Sequence, residues 1–179
     1  MKYKLTPQLA YFIGFWKKLK QSEGISIRAD KCKVEHFIKL ILELKLIEPN
    51  KIQLSDDMKK ACFYHTKLRT FMQNIVKNEL NKFKYKNDYA ASYIAGIFDA
   101  AGKIYTTKID KEKKQKNEEN NQNTLCAISI QNSNKYEELL ISRLGFRVKL
   151  VNKVLYVSRG EELLNFIKEK LRLEKKWGN

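Results

Sequence analysis

Apolar residues recur along this chain in two rhythms, and each predicts a different kind of element. The stretches "LAYFIGFW" (9–16) and "ASYIAGIF" (91–98) are apolar nearly all round, the mark of a helix buried on every side. They predict helices over 7–20 and 89–101. A one-faced helical rhythm groups Tyr136, Leu139, Leu140 and Leu144, predicting a helix over 134–144 that Gly145 ends. Further helices are expected over 33–46, 66–82 and 160–176. Alternation takes over in "FRVKLVN" and "KVLYVSR", which read as a strand pair around Asn152-Lys153. Other strands are expected over 24–29, near 51–55 and 60–65, and over 102–109 and 124–131. Between the last two lies "DKEKKQKNEENNQN" (110–123), which has no apolar residue and reads as a solvated loop.

The chain is written twice. The two apolar helices align at an offset of 82, with Ala10 and Gly14 matching Ser92 and Gly96. Residues four apart share a helix face, and small residues there let two helices cross with their backbones close. That role gives a reason for glycine in mid-helix, which otherwise costs about 1 kcal/mol against alanine. The ends of the halves match too: "KLRTFMQNIVKNEL" (67–80) aligns with "ELLNFIKEKLRLEK" (162–175) at an offset of 95, pairing Leu68 with Leu163 and Phe71 with Phe166. The growing offset places a net insertion in the second half, at the polar run. The second half therefore reads α-β-β-α-β-β-α. The first follows the same order with its first hairpin cut short. Two repeats are expected, 1–84 and 85–179, joined by "KFKYKND" (82–88).

Charge narrows the function. Lys+Arg of 36 against Asp+Glu of 20 gives +16, a field that favours a polyanionic partner. Nothing approaches the roughly 18 apolar residues of a membrane span, and the lysine-bounded start is a poor signal peptide. Cys32, Cys62 and Cys126 are widely spaced with no C-x-x-C, which suits a reduced, cytoplasmic setting and no zinc site. His36 and His65 are expected at the surfaces or edges of elements.

The repeat, its element order, the basic charge and "IAGIFDAAG" (94–102) together resemble the LAGLIDADG homing endonucleases. The resemblance implies an α+β fold of two pseudo-symmetric repeats, with the two signature helices packed at the pseudo-twofold axis. It also implies a saddle-shaped antiparallel sheet that grips DNA. In that family the penultimate signature position of each helix is an acid that helps bind a divalent metal. Here it is Ala101, and a methyl group cannot ligate Mg²⁺. Asp99 lies two residues earlier, about 200° around the helix, and is expected to serve the helix end. In the first copy the ungapped register puts Lys17 and Leu19 at the acidic positions. A four-residue insertion would instead make Glu23 of "SEGISI" (22–27) a remnant acid. Lys67 lies near the family's supporting basic position, where the second half has Glu161. Gln131 or Asn132 stands at the expected amide, or else caps the following helix.

Alternation assigns the faces of the second-half strands. Ile104, Cys126, Ile128 and Ile130 form the inward set. Lys103, Tyr105, Thr107, Ala127, Ser129 and Gln131 face outward, continued by Arg147, Lys149 and Lys153; Arg28 is the first-half counterpart. Lysine and arginine suit phosphates, while Tyr, Thr, Ser and Gln suit base edges. The expectation is a monomeric protein that binds duplex DNA or structured RNA, uses no cofactor and makes no double-strand cut. Mg²⁺ would enter only for a nuclease. The alternatives are an active or nicking endonuclease using Glu23, an RNA-splicing maturase, and a protein-interaction module.

Overall fold

The computed structural model of the chain describes residues 3–108 and 124–173. Side-chain caps set where most helices begin. Thr6 Oγ1 accepts from Leu9 N at 3.2 Å and Pro7 takes the first position of α1 (Pro7–Leu19). Asp30 caps α2 (Lys31–Glu43), and Asn87 caps α5 (Asp88–Ala101). The first half continues from α1 through β1 (Ile25–Arg28), α2, β2 (Gln53–Leu54), β3 (Lys60–Phe63), α3 (Thr66–Lys77) and α4 (Glu79–Lys82). After α5 come β4 (Gly102–Lys108), β5 (Thr124–Ile130), α6 (Lys135–Arg143), β6 (Val148–Val151), β7 (Val154–Val157) and α7 (Gly160–Ile167).

Strands form two antiparallel sheets, one per half, in the orders β1-β3-β2 and β4-β5-β7-β6. Matching these orders makes β1, β3 and β2 the counterparts of β5, β7 and β6. The partner missing from the first sheet is the counterpart of β4. Its remnant is a tight turn: Lys20 bridges Ile27, and Gln21 N donates to Ser26 O at 3.1 Å. Where β4 and β5 pair from Gly102↔Ile130 to Lys108↔Thr124, the first half keeps one bridge.

Both sheets turn their apolar faces onto one core, which α1 and α5 cross at its centre. Each of these helices contributes an unbroken run of buried residues, Leu9–Trp16 and Ala90–Ala100. Their contact is reciprocal. A Cβ on Gly14 would strike Tyr93 O, and one on Gly96 would strike Tyr11 O. Tyr11 and Tyr93 differ by 82, as do the glycines, so one packing rule is used twice. Ala10 and Ser92 are buried on the same helices.

The two tyrosines then lead to unlike buried networks. Tyr11 Oη donates to Asp99 Oδ2 at 2.6 Å and lies 3.0 Å from His36 Nε2. Its single proton goes to the carboxylate, so His36 must donate through Nε2–H. Tyr93 Oη donates to Glu79, which also binds Lys17 Nζ at 2.7 Å. Lys17 and Lys18 share Glu137 at 2.9 and 2.8 Å. Under the 82-residue offset, Lys17 stands where the second half has Asp99. A cation and an anion thus occupy matching places, each with its own compensating partners.

Several expectations change at the element ends. The helix expected over 160–176 stops at Ile167, continues as a 3-10 turn over Lys168–Lys170, and straightens. The one expected over 66–82 breaks at Asn78, whose φ of −109° leaves the helical region. Near 51–55 the strand shrinks to Gln53–Leu54, because Pro49–Lys51 takes a 3-10 turn. Asn152 and Lys153, at φ of 49° and 63°, make the two-residue turn between β6 and β7. His36 is buried rather than superficial, because its ring packs edge-on against Tyr11 and Phe15. His65 does sit at an element's edge, where Nδ1 caps α3 by accepting from Leu68 N. The 82–88 linker is pinned by Phe83, stacked on Tyr93 with ring centroids 4.1 Å apart.

Two outcomes follow from this core. Gly96→Leu must push a side chain into the Tyr11 carbonyl, where backbone cannot yield cheaply, so overpacking should cost roughly 1–3 kcal/mol or more. Urea denaturation checks it, and an unchanged midpoint would count against the reciprocal contact. His36 offers a pH signature. Burial first, and then the Arg172 charge, lowers its pKa from 6.5 to about 4. Between those values the unfolded chain binds the extra proton, so its folded-state contribution is complete above pH 6.5 and is lost as pH falls towards 4. The melting temperature should decline across that window, and His36→Gln should flatten the decline. A variant that loses stability as steeply as the parent would refute the assignment.

Candidate nucleic-acid interface

The outward face of the second sheet is built in rows by strand register. Lys103 pairs with Ser129, Ser129 with Tyr156, and Tyr156 with Lys149, so these four line one row across all four strands. Tyr105 pairs with Ala127 in the next row. The intervening row, Ile104, Ile128, Val157 and Val148, belongs to the inward side. Tyr105 and Tyr156 are 40% and 50% exposed, and Lys103, Lys149 and Arg147 are exposed beside them. Lys153 is exposed in the β6–β7 turn. Thr107 takes a place in β4 opposite Leu125. Its side chain and that of Cys126 lie outside the described residues.

Ser129 departs from expectation. It belongs to the outward row but is 1% exposed, because β5 is an inner strand and the longer Lys103 and Tyr156 side chains flank it. Its Oγ is buried without a hydrogen-bond partner among the described residues. Gln131 is half-buried just past β5, where its N–H donates to Ala101 O at 3.0 Å. Neither Gln131 nor Asn132 caps α6. Asn134 does so, accepting from Glu137 N at 3.0 Å, while Lys18 Nζ donates to Asn132 O at 2.8 Å. Tyr156 was not singled out from sequence, although the alternation of "VLYVS" already put it outward between the buried Leu155 and Val157.

The first sheet presents a different face. Ile25, Ile27, Ala61 and Phe63 point inward to the core, so Ser26, Arg28, Lys60, Cys62 and Gln53 take the other side. Arg28 and Gln53 are exposed, but Ser26 and Cys62 are buried. The shortened hairpin covers them. Ser26 Oγ donates to Glu23 O, and Cys62 Sγ lies 3.9 Å from the same oxygen. Gly24 makes the turn with φ of 50°, and a Cβ there would meet Phe63 O at 2.7 Å. Arg69 ties the hairpin down by donating to Ser22 O at 2.8 Å. Glu23 stands at the tip, where Lys60 Nζ binds its carboxylate at 2.8 Å; that bond lowers the acid's pKa and raises the lysine's. Lys67 is exposed in the first turn of α3, and Glu161 occupies the first turn of α7.

The helix ends complete the region. α1 ends at Leu19 and hands over to the bridged Lys20; α5 ends at Ala101 and hands over to Gly102. The ungapped register therefore describes the fold, and Glu23 lies beyond the helix, on the hairpin. Leu19 and Ala101 offer no side-chain oxygen, and so no negative charge, to a divalent cation. Asp99 turns away from this junction, as its helical angle required, and reaches the C-terminal segment. Besides Tyr11, Oδ2 accepts from Arg172 N at 2.8 Å and Leu173 N at 3.2 Å. A carboxylate in the last turn of a helix is disfavoured by the macrodipole, and these donors offset it. Arg172 extends over the Tyr11 ring and pairs with Glu43 at 2.8 Å. Among the described residues no three His, Cys, Asp or Glu side chains group to hold a metal, and no helix is long and apolar enough to cross a membrane.

No protein-family model matches the sequence, and no curated protein matches it. Solved structures do. Mesophilic variants of the homing endonuclease I-DmoI are similar at 19% identity over 91% of this chain and 96% of that one, with a TM-score of 0.57. A single-residue variant of I-DmoI in complex with its target DNA and magnesium matches at 17% identity over 94% and 97%, again at 0.57. Another, with target DNA and manganese, matches at 18% identity over 92% and 93%, also at 0.57. Two repeats in this order, joined by a reciprocal pair of glycine-bearing helices, give this chain the fold of the LAGLIDADG homing endonucleases.

Proposed function

We propose that this chain binds duplex DNA across the outward faces of its sheets and does not make double-strand breaks. The observation that carries the reading is the row Lys103–Ser129–Tyr156–Lys149, with Tyr105 and Arg147 beside it, on a chain of net charge +16. Cations at the strand positions would neutralise phosphates and set the register. The tyrosines, which pair an apolar ring with a hydroxyl, would meet sugar and base edges from a β-ribbon. Support for duplex DNA over other polyanions comes from the fold, since I-DmoI variants of the same architecture are held in complex with target DNA.

The absence of cutting rests on the helix ends. Strand cleavage in this fold calls for a carboxylate ligand from each signature helix, and Leu19 and Ala101 supply none. Glu23 is engaged by Lys60 on the hairpin. The side chains present at the helix ends do not fit a divalent cation. The chain's contribution is to bind, orient and hold.

Binding should be steeply salt-dependent. Each phosphate neutralised releases counterion, so log affinity should fall against log salt with a slope of about −0.9 per contact. Fluorescence anisotropy with a labelled duplex measures this, and no binding to any duplex at about 50 mM salt would sink the proposal. For cleavage, a randomised duplex library is incubated with Mg²⁺ or Mn²⁺ and its ends are sequenced. Intact duplexes are expected from the parent protein. Ala101→Asp restores one ligand and should yield nicks at most. Reproducible staggered breaks by the unmodified chain would overturn the inactive reading.

A further inference from the structure

The two sheets, so alike in topology, are not equally open. We infer that recognition is one-sided: the second sheet reads sequence, with Tyr156 as its main specificity residue, and the first contributes little beyond phosphate contact. This rests on the DNA-binding reading above.

Three observations carry it. The first is coverage. On the first sheet the hairpin tip lies over the outward row, so Ser26 and Cys62 are buried although they face away from the core. Arg69 and Lys60 anchor that tip from two sides, and Gly24 has no room for a side chain. A duplex would meet backbone and Glu23 there, not a strand face. On the second sheet the matching row is open at Lys103, Tyr156 and Lys149.

Charge is the second. Lys60 is neutralised by Glu23, and the β2–β3 turn sets Asp56 and Asp57 against the single cation Lys59, with Asp57 fixed by Ser55 Oγ at 2.6 Å. The corresponding β6–β7 turn is Asn152-Lys153. Anionic groups therefore border the first face where cations border the second. Phosphates would be drawn less to the first turn than to the second.

The third observation is the row itself. Tyr156 is half exposed on an inner strand, so a large aromatic ring that flanks Ser129 still leaves much of its surface to solvent. Directly beside it, the Ser129 hydroxyl is buried and without a hydrogen-bond partner among the described residues. A ring standing over an unsatisfied hydroxyl, flanked by two lysines, makes a small polar floor with an aromatic wall. A base edge that displaces the flanking Lys103 and Tyr156 side chains would satisfy Ser129 and pack on the Tyr156 ring. The first-sheet counterpart row, Ser26–Cys62–Gln53, has its serine already bound to Glu23 O.

The test uses the full chain and a duplex selected by it from a randomised pool. Hydroxyl-radical footprinting should protect one side of the site much more strongly than the other. Tyr156→Phe, which keeps the ring, and Tyr156→Ala should be compared with Arg28→Ala and Gln53→Ala on both the selected and a scrambled duplex. Tyr156→Ala should cut the preference for the selected duplex by about tenfold, with Tyr156→Phe retaining part of it. Its salt slope should not change, because no phosphate contact is lost. Gln53→Ala and Arg28→Ala should shift the preference less than about twofold, a surface-contact effect. Equal protection on both sides, or Gln53→Ala costing as much preference as Tyr156→Ala, would overturn one-sided recognition while leaving DNA binding intact. Failure to select or bind any duplex would overturn both.

Discussion

Everything in this fold hangs on two backbone contacts at its centre. Gly14 lies against the carbonyl of Tyr93, and Gly96 against that of Tyr11. Helices usually pack 8–10 Å apart on their side chains; here the side chains are absent where the axes cross, and the halves meet main chain to main chain. Close approach removes slack. Each helix end is then placed with little freedom relative to the other, and so is the strand that follows it. Gly102 opens β4 directly from α5, and Lys20 opens the remnant hairpin directly from α1.

Symmetry at the contact does not extend outward. The paired tyrosines donate to Asp99 on one side and Glu79 on the other. Lys17, at the place of Asp99, joins Glu79, Glu137 and Lys18 into a buried cluster of balanced charge that bridges α1, α4 and α6. Truncating one partner of such a cluster leaves an uncompensated buried charge, at a cost of about 3–5 kcal/mol. The position that matches Asp99 is thus part of the internal scaffold. The Asp99 network does the same at the other end, fastening the C-terminal segment at Arg172 and Leu173 to the core.

Asymmetry of the sheets has the same origin. With the first hairpin reduced to one bridge, residues 20–24 have nowhere to go but back over β1 and β3. They satisfy their backbone on Ser26 and Arg69 side chains and their carboxylate on Lys60. The full β4–β5 hairpin needs no such cover and leaves its outward row open. A change in loop length thus decides how much of each sheet a partner can reach.

Periodicity in the chain was enough to determine the repeat, the order of elements and the glycine contact. These depend on local spacing: four-residue steps on one helix face, two-residue steps along a strand, and a copy of both 82 residues on. The Asn152-Lys153 turn and the stop at Gly145 were legible for the same reason. Tertiary structure alone decided what depended on a neighbour from far along the chain. His36 is buried because Tyr11 and Phe15 close on it, and Ser129 because Lys103 and Tyr156 flank it. Asp99 accepts from Arg172 and Leu173, 73 and 74 residues on, and the choice between registers for Glu23 turned on one bridge, Lys20 to Ile27. A residue's type and spacing set which face it takes; what lies across from that face is set by packing, which no local pattern encodes.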